Sequence, residues 1–295
     1  MKLAAIDIGT NAVRLLVGEV VTNRTSVYIQ KYCYTRIPLR LGEEVFENGL
    51  ISEQKLEDFL KVMRSFKLIS DVFKVRQTRV CATSAMREAK NSDKVRAAIE
   101  KYADLSVEVI SGKEEAQLIF SSFPLLLSEN QSPYIVIDVG GGSTEVSVFE
   151  NGERIAAKSF EVGTLRMIKD KTSKTVWKKI GDWLAEKVDS TVKHEVFATG
   201  GNINKAHKIL GARHMEPIKV SKIKKLRSDL NKATIQERIV DYQLKPDRAD
   251  LIVPALDIYL FILKQMKSKQ VIVPKIGLAD GMIYDMHFKH LQSEK

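Results

Sequence analysis

The feature that most restricts this chain is a doubled one. LAAIDIGTNAVRLLVGEV opens it and YIVIDVGGGSTEVSVFEN repeats the pattern midway. In each, an apolar run ends in an aspartate, Asp7 or Asp138, crosses a glycine-containing loop with Thr or Ser, and resumes as apolar alternation. Period-2 alternation on both sides of a short loop predicts a β-hairpin. The two aspartates stand 131 positions apart, the spacing of a domain and not of a solenoid repeat. A duplicated domain is the simplest chain that makes the same move twice.

The rest of the pattern agrees. A length of 295 residues suits two domains of roughly 100–200 residues each. Strand-like runs (TRVCAT, VEVIS, VFATGG) alternate with helical ones. SEQKLEDFLKVMRSFKLI is helical with Ser52 as its cap, and SDKVRAAIEKY is a helix opened by Ser92. Strands alternating with helices predict an α/β architecture. The turn-rich SENQSP, residues 128–133, reads as a linker and places the boundary around 124–133. We therefore expect one domain over 1–124 and a second over 125–295, the last helix being able to return to the first.

Composition narrows the partners. A net charge of +10 points to an anion: nucleic acid, acidic lipid or a polyphosphorylated small molecule. The densest basic run, KVSKIKKLRSDLNK, reads as a helix with one solvated lysine face, and nothing in it interleaves aromatics for base stacking, so nucleic acid is not expected. Cys33 and Cys81 form no framework or metal spacing, which suits a reducing compartment. Asp7 interrupts the first apolar run before a secretory leader forms. LIVPALDIYLFIL, broken by Pro254 and Asp257, falls short of the about 20 residues a span needs. The expectation is a cytoplasmic protein without a membrane segment.

The loops carry the candidate chemistry. Gly140, Gly141 and Gly142 have no Cβ to obstruct an anion approaching the backbone N–H groups, and Ser143 and Thr144 add hydroxyl donors. Asp138 ends a buried-looking strand, where an isolated carboxylate is costly. A magnesium ion bridging it to phosphate oxygens removes that cost, and Glu145, seven positions on, can add a second ligand. A lone loop of this kind is as readily a plain hairpin with an Asx turn; two in equivalent places favour phosphate. In SGKEEAQLIF, Ser111 and Glu114 form a capping box, leaving Glu115 turned about 100° away and able to polarise a water. Both glutamates also simply suit the positive end of a helix. In ATSAMREA, Ser84 can cap a helix whose first turn would hold Arg87 against the dipole, unless a phosphate explains it. Arg14 is a similar candidate, each arginine being equally readable as a surface residue. Gly200 and Gly201 repeat the strand-to-glycine pattern before a helix opened by Asn202.

Taken in order, IDIGTNAVRLLV, ATSAMREA, ISGKEEAQLIF, IDVGGGSTEVSVFENG, VGTLR, ATGG and RADLIVPALDIYLFIL…GLADG resemble the exopolyphosphatase and guanosine pentaphosphate phosphohydrolase (Ppx/GppA) family over nearly the whole chain. The resemblance implies the actin-like ATPase, sugar kinase and Hsp70 fold, two related domains each with a five-stranded mixed sheet. It implies a magnesium-dependent hydrolase of the terminal phosphoanhydride of inorganic polyphosphate or of guanosine pentaphosphate (pppGpp), and a homodimer. It places the catalytic glutamate at Glu115, acidic loop residues at Asp138 and Glu145, a phosphate-binding arginine at Arg87, and the first phosphate loop at Gly9, Thr10 and Asn11. Asp7 is a further candidate metal ligand. Two departures stand out: GLADG has Ala279 where the family commonly has arginine, and the chain reads as a short form without the extra C-terminal domain of longer relatives. Polyphosphate hydrolysis is the favoured expectation. A pppGpp phosphohydrolase, a non-hydrolysing nucleotide sensor and an ATP-dependent kinase of the same fold are the alternatives.

Overall fold

Both apolar runs that end in aspartate become central strands. The computed structural model describes residues 1–23, 27–122, 132–189 and 191–293. The chain forms two compact units, Met1–Ser128 with Ile276–Lys295, and Glu129–Lys275. The last helix belongs with the first unit. Of the segment read as a linker, 128–133, residues 128–131 lie outside the described residues.

In the first unit β1 (Leu3–Ile8), β2 (Val13–Thr22), β3 (Val27–Ile37), β4 (Gln77–Ala82) and β5 (Glu108–Val109) form a sheet ordered β3-β2-β1-β4-β5. β1 runs antiparallel to β2 and parallel to β4. It is buried along its whole length, as a central strand covered on both faces must be. The helices are α1 (Leu41–Asn48), α2 (Glu53–Val72), α3 (Ser84–Glu88), α4 (Ser92–Ala103) and α5 (Gly112–Ser121). Ser52 caps α2 as expected, accepting from the Lys55 N–H, and the helix buries Leu56, Phe59, Met63 and Phe66. Ser92 does not cap α4. Asn91 occupies that position, and its amide bonds both backbone groups of Ile51 at 3.0 and 2.7 Å.

The second unit repeats the order. β6 (Tyr134–Val139), β7 (Thr144–Glu150), β8 (Glu153–Phe160) and, after α6 (Thr164–Ile168) and α7 (Val176–Lys187), β9 (Glu195–Thr199) form a sheet ordered β8-β7-β6-β9. Among the described residues this sheet has four strands where five were expected. A parallel bridge from Phe197 to Ile272 stands where β5 stands in the first unit. The unit continues through α8 (Gly201–Ile209), β10 (Ile218–Lys219), α9 (Val220–Lys232), α10 (Ile235–Val240), α11 (Pro246–Ala249), α12 (Ile252–Gln265) and β11 (Gln270–Val271). α9 buries Val220, Ile223, Leu226 and Leu230 and leaves Lys222, Lys224 and Lys225 exposed, the solvated face its spacing predicts. α12 is buried on most sides, and Pro254 is tolerated in its first turn, where no intrahelical acceptor awaits an N–H.

The last helix, α13 (Leu278–Ser293), packs on α5, β1 and β2. Its contact with α5 is unusually close: a Cβ at Gly281 would stand 1.7 Å from the Leu118 carbonyl oxygen. Asp280 receives the Gly277 N–H at 3.1 Å and pairs with Lys31 at 2.5 Å. Ala279, the departure in GLADG, is a buried apolar position of this unit.

Candidate functional site

The two hairpin loops close with the same bond. The Gly9 N–H donates to the Ala12 carbonyl at 3.1 Å, and the Gly140 N–H to the Ser143 carbonyl at 2.9 Å. In both, a later segment takes up the loop's carbonyls. Gly42 and Arg40 N–H groups bond Thr10 and Asn11 oxygens at 3.0 and 2.9 Å. In the second unit Thr164 N–H donates to Gly140, and the Leu165 and Arg166 N–H groups to Gly141, at 2.8–3.1 Å. The buried Arg166 adds its Nε to the Gly142 carbonyl at 2.9 Å. With their acceptors turned inward, Gly141 and Gly142 present N–H groups that have no acceptor among the described residues. That is the polarity an anion requires. The approach needs Gly163, since a Cβ there would lie 2.5 Å from the Gly141 and Gly142 backbone.

The hydroxyls divide. Thr144 is wholly buried and donates to the Val162 carbonyl at 2.6 Å, so it secures the loop and is not available as a phosphate donor. Ser143 and Thr10 are buried beside their loops.

The aspartates differ in their partners. Asp7 faces Arg14 across the β1–β2 ladder, and Arg14 Nη1 lies 2.5 Å from Asp7 Oδ2. Asp138 faces Glu145 at the equivalent rung of β6 and β7, with carboxylate oxygens within 4.8 Å of each other. Two carboxylates opposed on adjacent strands repel. Thr199 Oγ1 donates to Asp138 Oδ1 at 2.5 Å and Ser159 Oγ to Glu145 Oε1 at 2.7 Å, which orients both groups. A pair of oriented, all-oxygen ligands opposed on one rung fits a hard divalent cation such as magnesium. Asp7, already neutralised by Arg14, fits that role less well.

In the first unit Glu115 is 9 % exposed. The capping box forms as expected: Ser111 accepts from Glu114 N–H, and the Glu114 carboxylate receives the Ser111 backbone and hydroxyl donors. These bonds hold the Glu114 carboxyl below the usual range. Glu115 instead meets Arg87, whose Nη1 bonds its Oε2 at 3.2 Å and the Ile110 carbonyl at 2.8 Å. The reason anticipated for Arg87 is corrected. Ser84 is the first helical residue and donates to Glu88, Thr83 precedes it, and α3 is so short that Arg87 falls in the last turn, where the dipole favours a cation.

α8 begins at Gly201, one residue before the expected Asn202. Gly200 has φ +117°, a conformation for which glycine is suited, and a Cβ there would meet Tyr259 Oη at 2.8 Å. The Gly201 carbonyl is taken by Arg248 at 3.0 Å. Sequence reasoning did not single out Ser159, Arg166, Tyr259 or Arg248. For Arg166 the VGTLR motif was a usable signal, as RADLIVPALDIYLFIL was for Arg248 and Tyr259; Ser159 becomes visible only when strands are paired.

Two units of one topology, each with an aspartate before a glycine hairpin whose carbonyls are turned inward, define a duplicated α/β fold with mixed sheets flanked by helices. Residues 20–290 match the Ppx/GppA phosphatase family, and the chain belongs to that family. Among curated relatives, it is 33 % identical over 172 residues to a bifunctional 3-dehydroquinate synthase/phosphatase of Fusobacterium nucleatum, covering 56 % of this chain and 25 % of that protein. It is 31 % identical over 172 residues to exopolyphosphatase 2 of Mycobacterium tuberculosis, covering 56 % of this chain and 53 % of that one. The match thus spans about half the length of the exopolyphosphatase and a quarter of the bifunctional protein. In fold it resembles an exopolyphosphatase from Cytophaga hutchinsonii (TM-score 0.82, 23 % identity, 97 % of each chain) and a Ppx/GppA family member from Aquifex aeolicus (TM-score 0.78, 23 % identity, 98 % of each).

Proposed function

We propose that the chain hydrolyses the terminal phosphoanhydride of inorganic polyphosphate. The observation that carries this reading is the Asp138–Glu145 pair, two oriented carboxylates opposed beside a loop of donor N–H groups. Those two residues would hold magnesium, which supplies charge neutralisation at phosphate oxygens. In the second unit the Gly141 and Gly142 N–H groups serve as phosphate donors; in the first, the Gly9–Asn11 loop and the Arg87 guanidinium have the phosphate-binding role. Glu115 orients a water and takes its proton as the water oxygen attacks phosphorus; the bridging P–O bond breaks and the shortened chain leaves with the electron pair. The exopolyphosphatases among the relatives support polyphosphate as the substrate, and the net charge of +10 suits such a polyanion.

The test is Glu115→Gln. It should bind short-chain polyphosphate normally and release phosphate about 10²–10⁴-fold more slowly; near-normal release removes Glu115 from the role. Assaying polyphosphate beside pppGpp at equal magnesium separates the two substrates, and binding without release from either would favour a sensor. The homodimer rests on family resemblance, and sedimentation of the purified chain checks it. Among the described residues no helix is long and apolar enough to cross a membrane.

A further inference from the structure

Tyr259 lies on α12 between Ile258 and Leu260 and is completely buried. Its hydroxyl donates to the Thr199 carbonyl. Thr199 ends β9 as the parallel register partner of Asp138, and its own hydroxyl donates to Asp138 Oδ1 at 2.5 Å. Immediately beyond, the chain turns at Gly200 with so little room that any Cβ would meet the phenol oxygen. The phenol therefore braces the point where β9 leaves the sheet, one residue from the turn and one hydrogen bond from the carboxylate.

We propose that Tyr259 is a positioning residue for the metal-binding carboxylate: by fixing the Thr199 backbone it fixes the hydroxyl that orients Asp138. This rests on the reading of Asp138 as a ligand for a divalent cation. A tyrosine that only filled the core would contribute to stability and leave metal affinity alone. Partners one bond removed from a ligand typically govern affinity by about 10–100-fold.

The experiment is a titration of the purified protein with Mn²⁺, read by electron paramagnetic resonance, with circular dichroism and melting temperature recorded alongside. Tyr259→Phe and Thr199→Val should each weaken Mn²⁺ binding by about 10-fold. Thr199→Ser should bind like the unaltered protein. The double variant Tyr259→Phe/Thr199→Val should bind no more weakly than Thr199→Val, since both act through one bond. Unaltered affinity in folded Tyr259→Phe, or additive losses in the double variant, overturns the relay and leaves the hydrolase reading standing. Should Tyr259→Phe not fold, unaltered affinity in Thr199→Val overturns the relay by itself. An unaltered protein that binds Mn²⁺ but releases no phosphate from polyphosphate overturns the hydrolase reading and leaves the relay. Absence of Mn²⁺ binding in the unaltered protein overturns both.

Discussion

Arg14 stands to Asp7 as Glu145 stands to Asp138: seven residues on, on the adjacent antiparallel strand, at the second rung from the hairpin loop. One rung holds an ion pair, with 2.5 Å between Arg14 Nη1 and Asp7 Oδ2; the other opposes two acids. The two loops share their closing bond and differ in charge. The first corner sets its aspartate against a guanidinium, and the second sets its aspartate against a glutamate.

Charge removal should therefore have opposite effects at the two rungs. Glu145→Gln relieves like-charge repulsion, so the metal-free melting temperature should hold or rise while Mg²⁺ affinity falls about 10–100-fold. Arg14→Met strands a buried carboxylate and should destabilise by about 2–4 kcal/mol, less than a fully buried pair because Arg14 is 26 % exposed. Thermal denaturation with and without magnesium checks both signs.

Gly281→Ala places a methyl group 1.7 Å from the Leu118 carbonyl oxygen, a backbone atom that can yield only if α5 shifts. Since α5 carries Glu115, phosphate release should fall along with stability, the latter by about 1–3 kcal/mol. A urea titration and a phosphate-release assay on the same preparation measure the two losses together.

Gly163→Ala meets the Gly141–Gly142 backbone at 2.5 Å. The displaced loop should lose its grip on phosphate, raising KM for polyphosphate at least about 10-fold through misplacement of its donors. The first unit, including the Arg87–Glu115 pair, should keep its native hydrogen-exchange pattern.

The two thiols should be distinguishable by pH. Burial pushes the Cys81 thiol up to about 12, whereas Cys33 is only half-buried on β3. At pH 8 a thiol reagent should label Cys33 and spare Cys81 until the protein is denatured. Because the folded value lies above the unfolded one near 9, the neutral thiol's contribution to stability is complete below pH 9 and is lost as pH rises toward about 12. Urea midpoints of the unaltered protein and of Cys81→Ala should therefore converge over that interval.

Much of this was legible because it is local. The hairpins follow from alternation around a glycine loop, and the Ser111–Glu114 box follows from spacing and leaves Glu115 for other work. Cap identity was less secure: Ser84 and Ser92 have suitable side chains, but Thr83 and Asn91 occupy the cap positions, Asn91 being held by distant Ile51. The pairing of Arg14 with Asp7 follows from strand register, which spacing alone suggests but does not assign. Outside its place in RADLIVPALDIYLFIL, Tyr259 gives no local signal, since on an apolar helix a tyrosine reads as core. Its role exists only once α12 is laid beside the end of β9.

The return of α13 to the first unit has a consequence for biosynthesis. The sheet begun by residues 3–8 waits for a helix that leaves the ribosome after the whole second unit, while residues 135–273 supply the second core from one stretch. During translation the later-numbered unit can thus mature first, and the nascent opening strands spend the interval with the face that α13 will cover still exposed to chaperones.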